Sequence, residues 1–147
     1  MPISQAFCNS FKRELLAMSP HRPEDVYKIA LYTPRAALNE ATQCYSAVDE
    51  VAESGEYVAG GQVLQGFTVG LDGRTAMLDW TTDPQWRKST IAAAGALIYN
   101  ASRENRALAV LSFLDDAGRP TVITSTNGTF AVELPAPRAA TALIRIA

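Results

Sequence analysis

The sequence predicts a mainly β fold, an antiparallel β-sandwich of jelly-roll-like kind that carries one amphipathic α-helix at its N-terminus. Apolar residues recur at helical spacing only up to Met18, and beyond it short apolar runs alternate with Gly, Pro, Asn and Asp. No helical stretch of crossover length separates those runs, as the strands of a parallel α/β sheet would require.

Between Ser4 and Met18, Phe7, Phe11 and Leu15 fall at i, i+4 and i+8, with Cys8 and Leu16 beside them, and Ser4 is the expected N-cap. Exposed together, the three would form an apolar stripe on a polar helix. Phe7, Phe11 and Leu15 are therefore assigned to face protein, either their own fold or a partner. Ser19-Pro20-His21-Arg22-Pro23 ends the helix, because proline lacks an N–H and biases its predecessor toward extended backbone.

The period then changes to two. Val26, Lys28, Ala30 and Tyr32 alternate with Tyr27, Ile29, Leu31 and Thr33, and apolar groups on both faces mark a central strand closed by Pro34. Arg35 to Ser46 reads as a long loop holding at most a helical turn. Strands are expected at Tyr57-Val58-Ala59, Gln62-Val63-Leu64, Phe67-Thr68-Val69 and Thr75 to Trp80. Gly60-Gly61 and Asp72-Gly73 lie between them, and Asp-Gly between apolar runs signals a hairpin because glycine meets its demand for positive φ.

Asp83-Pro84-Gln85-Trp86 breaks the series. Ala92 to Ala94 and Ala96 favour helix over Ile91 to Leu97, but Gly95 in the middle and Ile98-Tyr99 after it assign Thr90 to Asn100 to strand. Arg106 to Leu114, Pro120 to Thr126, Thr129 to Leu134 and Ala142 to Ile146 complete the strands, with Gly118-Arg119-Pro120 and Asn127-Gly128 as turns. No repeat or linker divides the chain. One domain is expected over 1–147, with the helix and its link in 1–22 and the sandwich in 23–147.

A chain of 147 residues can bury roughly 70% of its unfolded surface and needs no metal or disulfide staple. Its net charge of -2 and its scattered Lys and Arg argue against a nucleic-acid partner, which requires a basic face. The apolar run Ile91 to Tyr99 falls far short of the ~20 residues of a membrane helix. Asn9, Lys12, Arg13 and Glu14 interrupt the region where a secretory signal would be apolar, so export by that route is not expected. Cys8 and Cys44 read as free, buried thiols of a reducing compartment, with an exposed Cys44 that pairs after release from the cell as the alternative.

No catalytic, cofactor-binding or metal-binding residues are assigned. The single histidine, His21, reads as a solvated loop residue, since no second histidine and no nucleophile elbow accompany it. Asp79, Asp83, Asp115 and Asp116 offer carboxylates, but Asp115-Asp116-Ala117-Gly118 lacks the ligand spacing of a calcium loop and reads as a turn. Gly60-Gly61, Gly66 and Gly70 do not make a phosphate-binding loop. Trp80 and Trp86, with Phe67 and Tyr99, read as core, with a sugar-binding groove as the alternative.

Several pieces of the chain carry a resemblance. They are Phe7-Cys8-Asn9-Ser10-Phe11-Lys12 followed by Glu14-Leu15-Leu16, Tyr27 to Thr33, Glu50-Val51 to Gly60-Gly61 with Gly55 and Tyr57 inside, and Ala94 to Asn100. Ser125-Thr126-Asn127-Gly128-Thr129-Phe130 and Ala142 to Ile146 complete the set. The chain resembles a family of small virion proteins of tailed bacteriophages over nearly its whole length, departing at Ser19-Pro20-His21-Arg22-Pro23. The resemblance implies a non-enzymatic virion component, made in the host cytoplasm and needing no cofactor. Its first implied role is a capsid decoration (cement) protein bound as a homotrimer to the major capsid protein. A tail-associated or fibre-anchoring adaptor, bound to tail or portal proteins, is second. A host-surface glycan binder or hydrolase is a remoter alternative, which would need two carboxylates roughly 5 to 9.5 Å apart in a cleft.

Overall fold

The computed structural model describes residues 3–135, 138 and 140–146. Where the sequence is read as one domain, the chain divides into two compact units, Met1–Val63 with Trp86–Phe130, and Leu64–Gln85 with Ala131–Ala147. The mainly β expectation holds: antiparallel sheets dominate, with one short helix among the described residues. In chain order the elements are β1 (Ala6–Phe7), α1 (Asn9–Ala17), β2 (Tyr27–Tyr32), β3 (Gln62–Val63), β4 (Gln65–Asp72) and β5 (Thr75–Thr82). They continue with β6 (Gln85–Ala93), β7 (Gly95–Asn100), β8 (Arg106–Ser112), β9 (Ile123–Ala131) and β10 (Ile144–Ile146).

The first unit is built on a five-stranded sheet in the order β1-β8-β7-β2-β3. β7 lies at its centre, buried along its whole length, and pairs β2 from Tyr27↔Asn100 to Tyr32↔Gly95. On its other side β8 runs in register until a bulge at Ile98/Tyr99. The apolar residues of β2, read as lying on both faces, are buried on both, which fits its place inside the sheet. α1 packs on β8. The run read as one strand from Thr90 to Asn100 is two: Ala94 separates β6 from β7, and β6 pairs β9 in a sheet of their own.

Several local expectations need correction. Ser4 does not cap α1: Cys8 occupies the N-cap position without a side-chain cap bond, and the Ser4 amide donates to the Leu38 carbonyl instead. Tyr57-Val58-Ala59 forms no strand, because Tyr57 and Ser54 close a small turn on each other. Asn127-Gly128 is no hairpin turn. The segments Pro120 to Thr126 and Thr129 to Leu134 merge there into β9, and the left-handed residue is Asn127 (φ 46°), not Gly128. Side-chain hydroxyls stitch β9 to β6 at this irregularity: Ser125 Oγ donates to the Ser89 carbonyl at 3.0 Å, and the Asn127 amide donates to Thr90 Oγ1 at 3.0 Å.

The long loop between β2 and β3 is ordered by one carboxylate. Glu50 accepts from the Tyr45 hydroxyl at 2.6 Å, the Tyr57 hydroxyl at 2.7 Å and the Gly60 amide at 2.8 Å. Tyr57 in turn accepts from the Leu31 amide at 2.9 Å, which ties the loop to β2. Tyr99 donates to the Gly60 carbonyl at 2.6 Å and stacks on Tyr45 with ring centroids 4.7 Å apart.

The second unit is a three-stranded sheet in the order β10-β5-β4. The expected hairpin is present, with Gly73 (φ 61°) and Arg74 as its two loop residues between the paired Asp72 and Thr75. Phe67, Val69 and Leu71 lie opposite Trp80, Leu78 and Ala76, and β10 continues that side with Ile144 and Ile146, so one face is apolar over these pairs and turns polar where Gln65 meets Thr82. Asp79 is buried and accepts from the Trp80 amide at 2.8 Å and the Leu143 amide at 3.2 Å, tying the C-terminal segment to the hairpin.

Two outcomes follow from this geometry. Gly73→Val should cost on the order of 1 kcal/mol or more, because a β-branched residue strains at positive φ. Gly128→Ala should stay within about 0.5 kcal/mol, since its φ is not positive and its new Cβ would meet nothing closer than the Thr126 carbonyl at 3.6 Å. Urea denaturation of the two variants checks the contrast. The second outcome concerns alkali, because burial pushes all five tyrosines upward, Tyr27 and Tyr99 to about 12, and the Glu50 charge adds to the effect on Tyr32, Tyr45, Tyr57 and Tyr99. A phenol whose folded pKa lies above its unfolded value of 10.0 stabilises the fold below that pH and ceases to as pH climbs toward 12. Tyrosinate absorbance and circular dichroism should therefore change together between about pH 10 and 12. Phenol ionisation that precedes unfolding at every tyrosine would contradict this.

Candidate functional site

α1 and the link after it form the region the sequence singles out. Cys8, Phe11 and Glu14 are the residues turned inward, each fully or nearly buried. Of the three assigned partner-facing residues, only Phe11 is buried in its own fold. Phe7 precedes the helix in β1 and keeps 36% of its surface, and Leu15 keeps 37%. The helix starts at Asn9, which leaves Phe7 outside it, and within it Glu14, at i+3 from Phe11, takes the inward place that i+4 spacing gave to Leu15. Met18 is the C-cap of α1, and its left-handed backbone (φ 55°) lets the next amide, that of Ser19, reach back to the Glu14 carbonyl at 3.2 Å.

His21 is not solvated, and this corrects the loop reading. It lies nearly buried at one end of β7, its ring edge-to-face with Phe11 at 5.4 Å. His21 Nε2 lies 2.7 Å from Glu14 Oε1, and Nδ1 lies 3.0 Å from Asn100 Nδ2. The Ser102 amide donates to Asn100 Oδ1 at 2.9 Å, which fixes the orientation of the Asn100 amide. Its NH2 group then faces Asp25 Oδ2 at 2.9 Å and the imidazole together. His21 Nδ1 must accept, so the ring proton sits on Nε2 and is donated to Glu14.

The network continues at both ends. Arg106 Nη1 donates to the other Glu14 oxygen at 2.8 Å, and Arg103 grips Asp25 with Nε and Nη2 at 3.0 and 3.1 Å. Desolvation works to raise the Asp25 carboxyl, but hydrogen bonds from Arg103, Asn100 and the Arg22 amide outweigh it and bring its pKa down to about 2. Both oxygens of Glu14 are occupied, and His21 has no nucleophile among its hydrogen-bond partners. Chemically, the arrangement holds α1 and the link against β7 and β8.

The other candidates are placed as follows. Trp80 and Trp86 are each 1% exposed, so neither lines a groove, as the core reading expects. Burial raises the Asp79 carboxyl, and Asp83 accepts from the Leu134 amide at 2.8 Å. Asp115 closes the expected turn, accepting from the amides of Ala117 and Arg119. Cys8 is buried, which pushes its thiol up to about 11, and Cys44 is exposed. Sequence reasoning missed Glu14, Asp25, Asn100 and Arg103 as members of one network. A carboxylate at i+3 from an inward Phe was the available signal for Glu14. Asn100 and Asp25 are brought together over 75 positions by strand pairing alone.

No protein-family model, curated protein or solved structure matches the chain.

The Asp25 pairing predicts an acid limb of stability. A carboxyl lowered from 3.8 to about 2 stabilises the fold above its unfolded value, and that stability is lost as pH falls through the folded one. Asp25→Asn should flatten the stability profile between about pH 4 and 2, measured by urea denaturation at each pH. An identical slope in the variant would remove Asp25 as its source.

Proposed function

We propose that this chain is a structural component of a tailed-bacteriophage virion that works by surface contact and not by catalysis. The virion reading comes from the sequence resemblance. The surface-contact reading is carried by one observation: on α1 and just after it, Leu16 and Met18 are 87% and 89% exposed, with the partly exposed Leu15 and Phe7 near them in the chain. Apolar side chains exposed close together on an ordered element are the kind of surface that a partner covers. In the second unit Val69, Leu71 and Ile146 are likewise exposed on the apolar sheet face. The first role is a capsid decoration protein on the major capsid protein, as a homotrimer at a symmetry axis, and a tail or fibre-anchoring adaptor is second. On this reading the sheets belong to a jelly-roll-like sandwich, and α1 is its amphipathic tether.

The double variant Leu16→Glu, Met18→Glu should melt like the parent, since both side chains stand in solvent. Its occupancy on purified particles should fall at least roughly tenfold. Unchanged occupancy would remove α1 as the docking surface. Densitometry of intact virions separates the two roles, because a decoration protein approaches the copy number of the shell protein and an adaptor is present in a few to a dozen copies. Absence from virions would end both.

A further inference from the structure

Among the described residues most sheet edges are short, charged or broken. β1 and β3, which close the five-stranded sheet, are two residues each, and β10 is three with Arg145 at its middle. β6 carries Arg87 and Lys88, and β9 is interrupted by the left-handed Asn127. β4 has none of these protections along its middle. It is an edge of the three-stranded sheet, eight residues long, without proline and without charge until its last residue, Asp72. Its left-handed Gly66 lies near the start, which leaves Phe67 to Leu71 in unbroken register with β5.

That register says which backbone groups of the edge are unused. Asp72 and Thr75 flank the two-residue loop and so form a hydrogen-bonded pair, and such pairs alternate along a hairpin. Gly70 and Thr68 therefore bond β5, while the N–H and C=O of Val69 and Leu71 point away from it. Among the described residues no group bonds to those four.

The edge is complementary to itself. Two copies of β4 laid antiparallel about a two-fold axis through Gly70 set Val69 of each copy opposite Leu71 of the other, as hydrogen-bonded pairs that use all four groups on each strand. Residues opposite one another point to the same face, so Val69 and Leu71, both exposed in the single chain, join across the axis into one apolar surface. Gly70 meets Gly70 in the close, non-hydrogen-bonded position, where it carries no side chain to crowd the axis, and a Cβ added to it meets nothing within 4 Å in the single chain. Asp72 falls opposite Thr68, four positions along the strand from the other Asp72, so like charges stay apart.

We propose that β4 is a self-association edge: a second copy of this chain pairs with it, antiparallel about Gly70, to make one continuous sheet in the order β10-β5-β4-β4-β5-β10. The contact is two-fold, so it is separate from the three-fold assembly of the virion reading and does not rest on it.

Sedimentation equilibrium of the full chain should show monomer and dimer with a Kd in the micromolar to millimolar range, since pairing over Phe67 to Leu71 buries less than the ~800 Å² per partner of a standard interface. Gly70→Lys sets two ammonium groups opposite each other and leaves the apolar face intact. It should melt like the parent and weaken the dimer by roughly tenfold or more. The register is read by cross-linking in a Cys44→Ser background, which removes the exposed native thiol. Gly70→Cys there places two thiols directly opposite across the axis and should give a covalent dimer on mild oxidation, seen on a non-reducing gel. Thr68→Cys should not, because the two cysteines would stand roughly 13 Å apart along the strands. A parent that stays monomeric at millimolar concentration, a dimer or trimer that Gly70→Lys leaves unchanged, or cross-linking as efficient at position 68 as at position 70 would overturn the pairing.

Discussion

β7 is buried over its whole length yet ends in two polar side chains, Tyr99 and Asn100, and the arrangement of both long connections follows from that. A buried polar group without a partner costs on the order of 1–3 kcal/mol, so each of these tips must draw chain toward it. Tyr99 draws the loop before β3 through the Gly60 carbonyl and the Tyr45 ring. Asn100 draws the link after α1 through His21 and Asp25. Turns and isolated bridges satisfy much of the backbone of these connections, and the side chains at the end of β7 add a fixed anchor to each.

Glu50 completes the arrangement on the Tyr99 side. An ionised carboxylate only accepts, and here two phenols and an amide converge on it. Bonds to a charged acceptor are about twice as strong as neutral ones, which suits a single residue to fixing a loop of this length. His21 plays the matching part on the other side, but as a neutral ring that donates from one nitrogen and accepts at the other. The two clusters differ in their response to pH: the tyrosines bear on the alkaline limb, and Asp25 on the acid one.

Periodicity made much of this fold legible in the sequence. β2, β4, β5, β7 and β8 lie where alternating or continuous apolar runs put them, and the Asp72-Gly73 signal marks a true hairpin, because those features depend on residues close in sequence. The misses share a different cause. Ser4 lost its capping role to Cys8 because pairing of Ala6 and Phe7 with β8 holds the preceding chain extended. Asn127-Gly128 carries a hairpin signal, but Ser89, Thr90 and Ser125 hold β9 along β6 through it. His21 looked solvated because its partners, Glu14 and Asn100, are seven and 79 positions away. Where side chains from distant segments decide the outcome, a local pattern has no access to it.

The two sides of α1 also explain one another. Its inward side is held by a packed Phe11 and by Glu14, whose carboxylate is shared between His21 and Arg106. A helix of this length would be marginal alone in water, so its order comes from those contacts. Leu16 and Met18 are thereby presented from a fixed backbone. An apolar side chain on an ordered element loses only its own rotamer freedom on docking, whereas one on a loose tail would also lose backbone freedom, at roughly 1–2 kcal/mol per residue. The polar network inside α1 therefore bears on the contact proposed outside it: loosening Glu14 or His21 would weaken docking through the ordering of the helix, without touching the docking residues themselves.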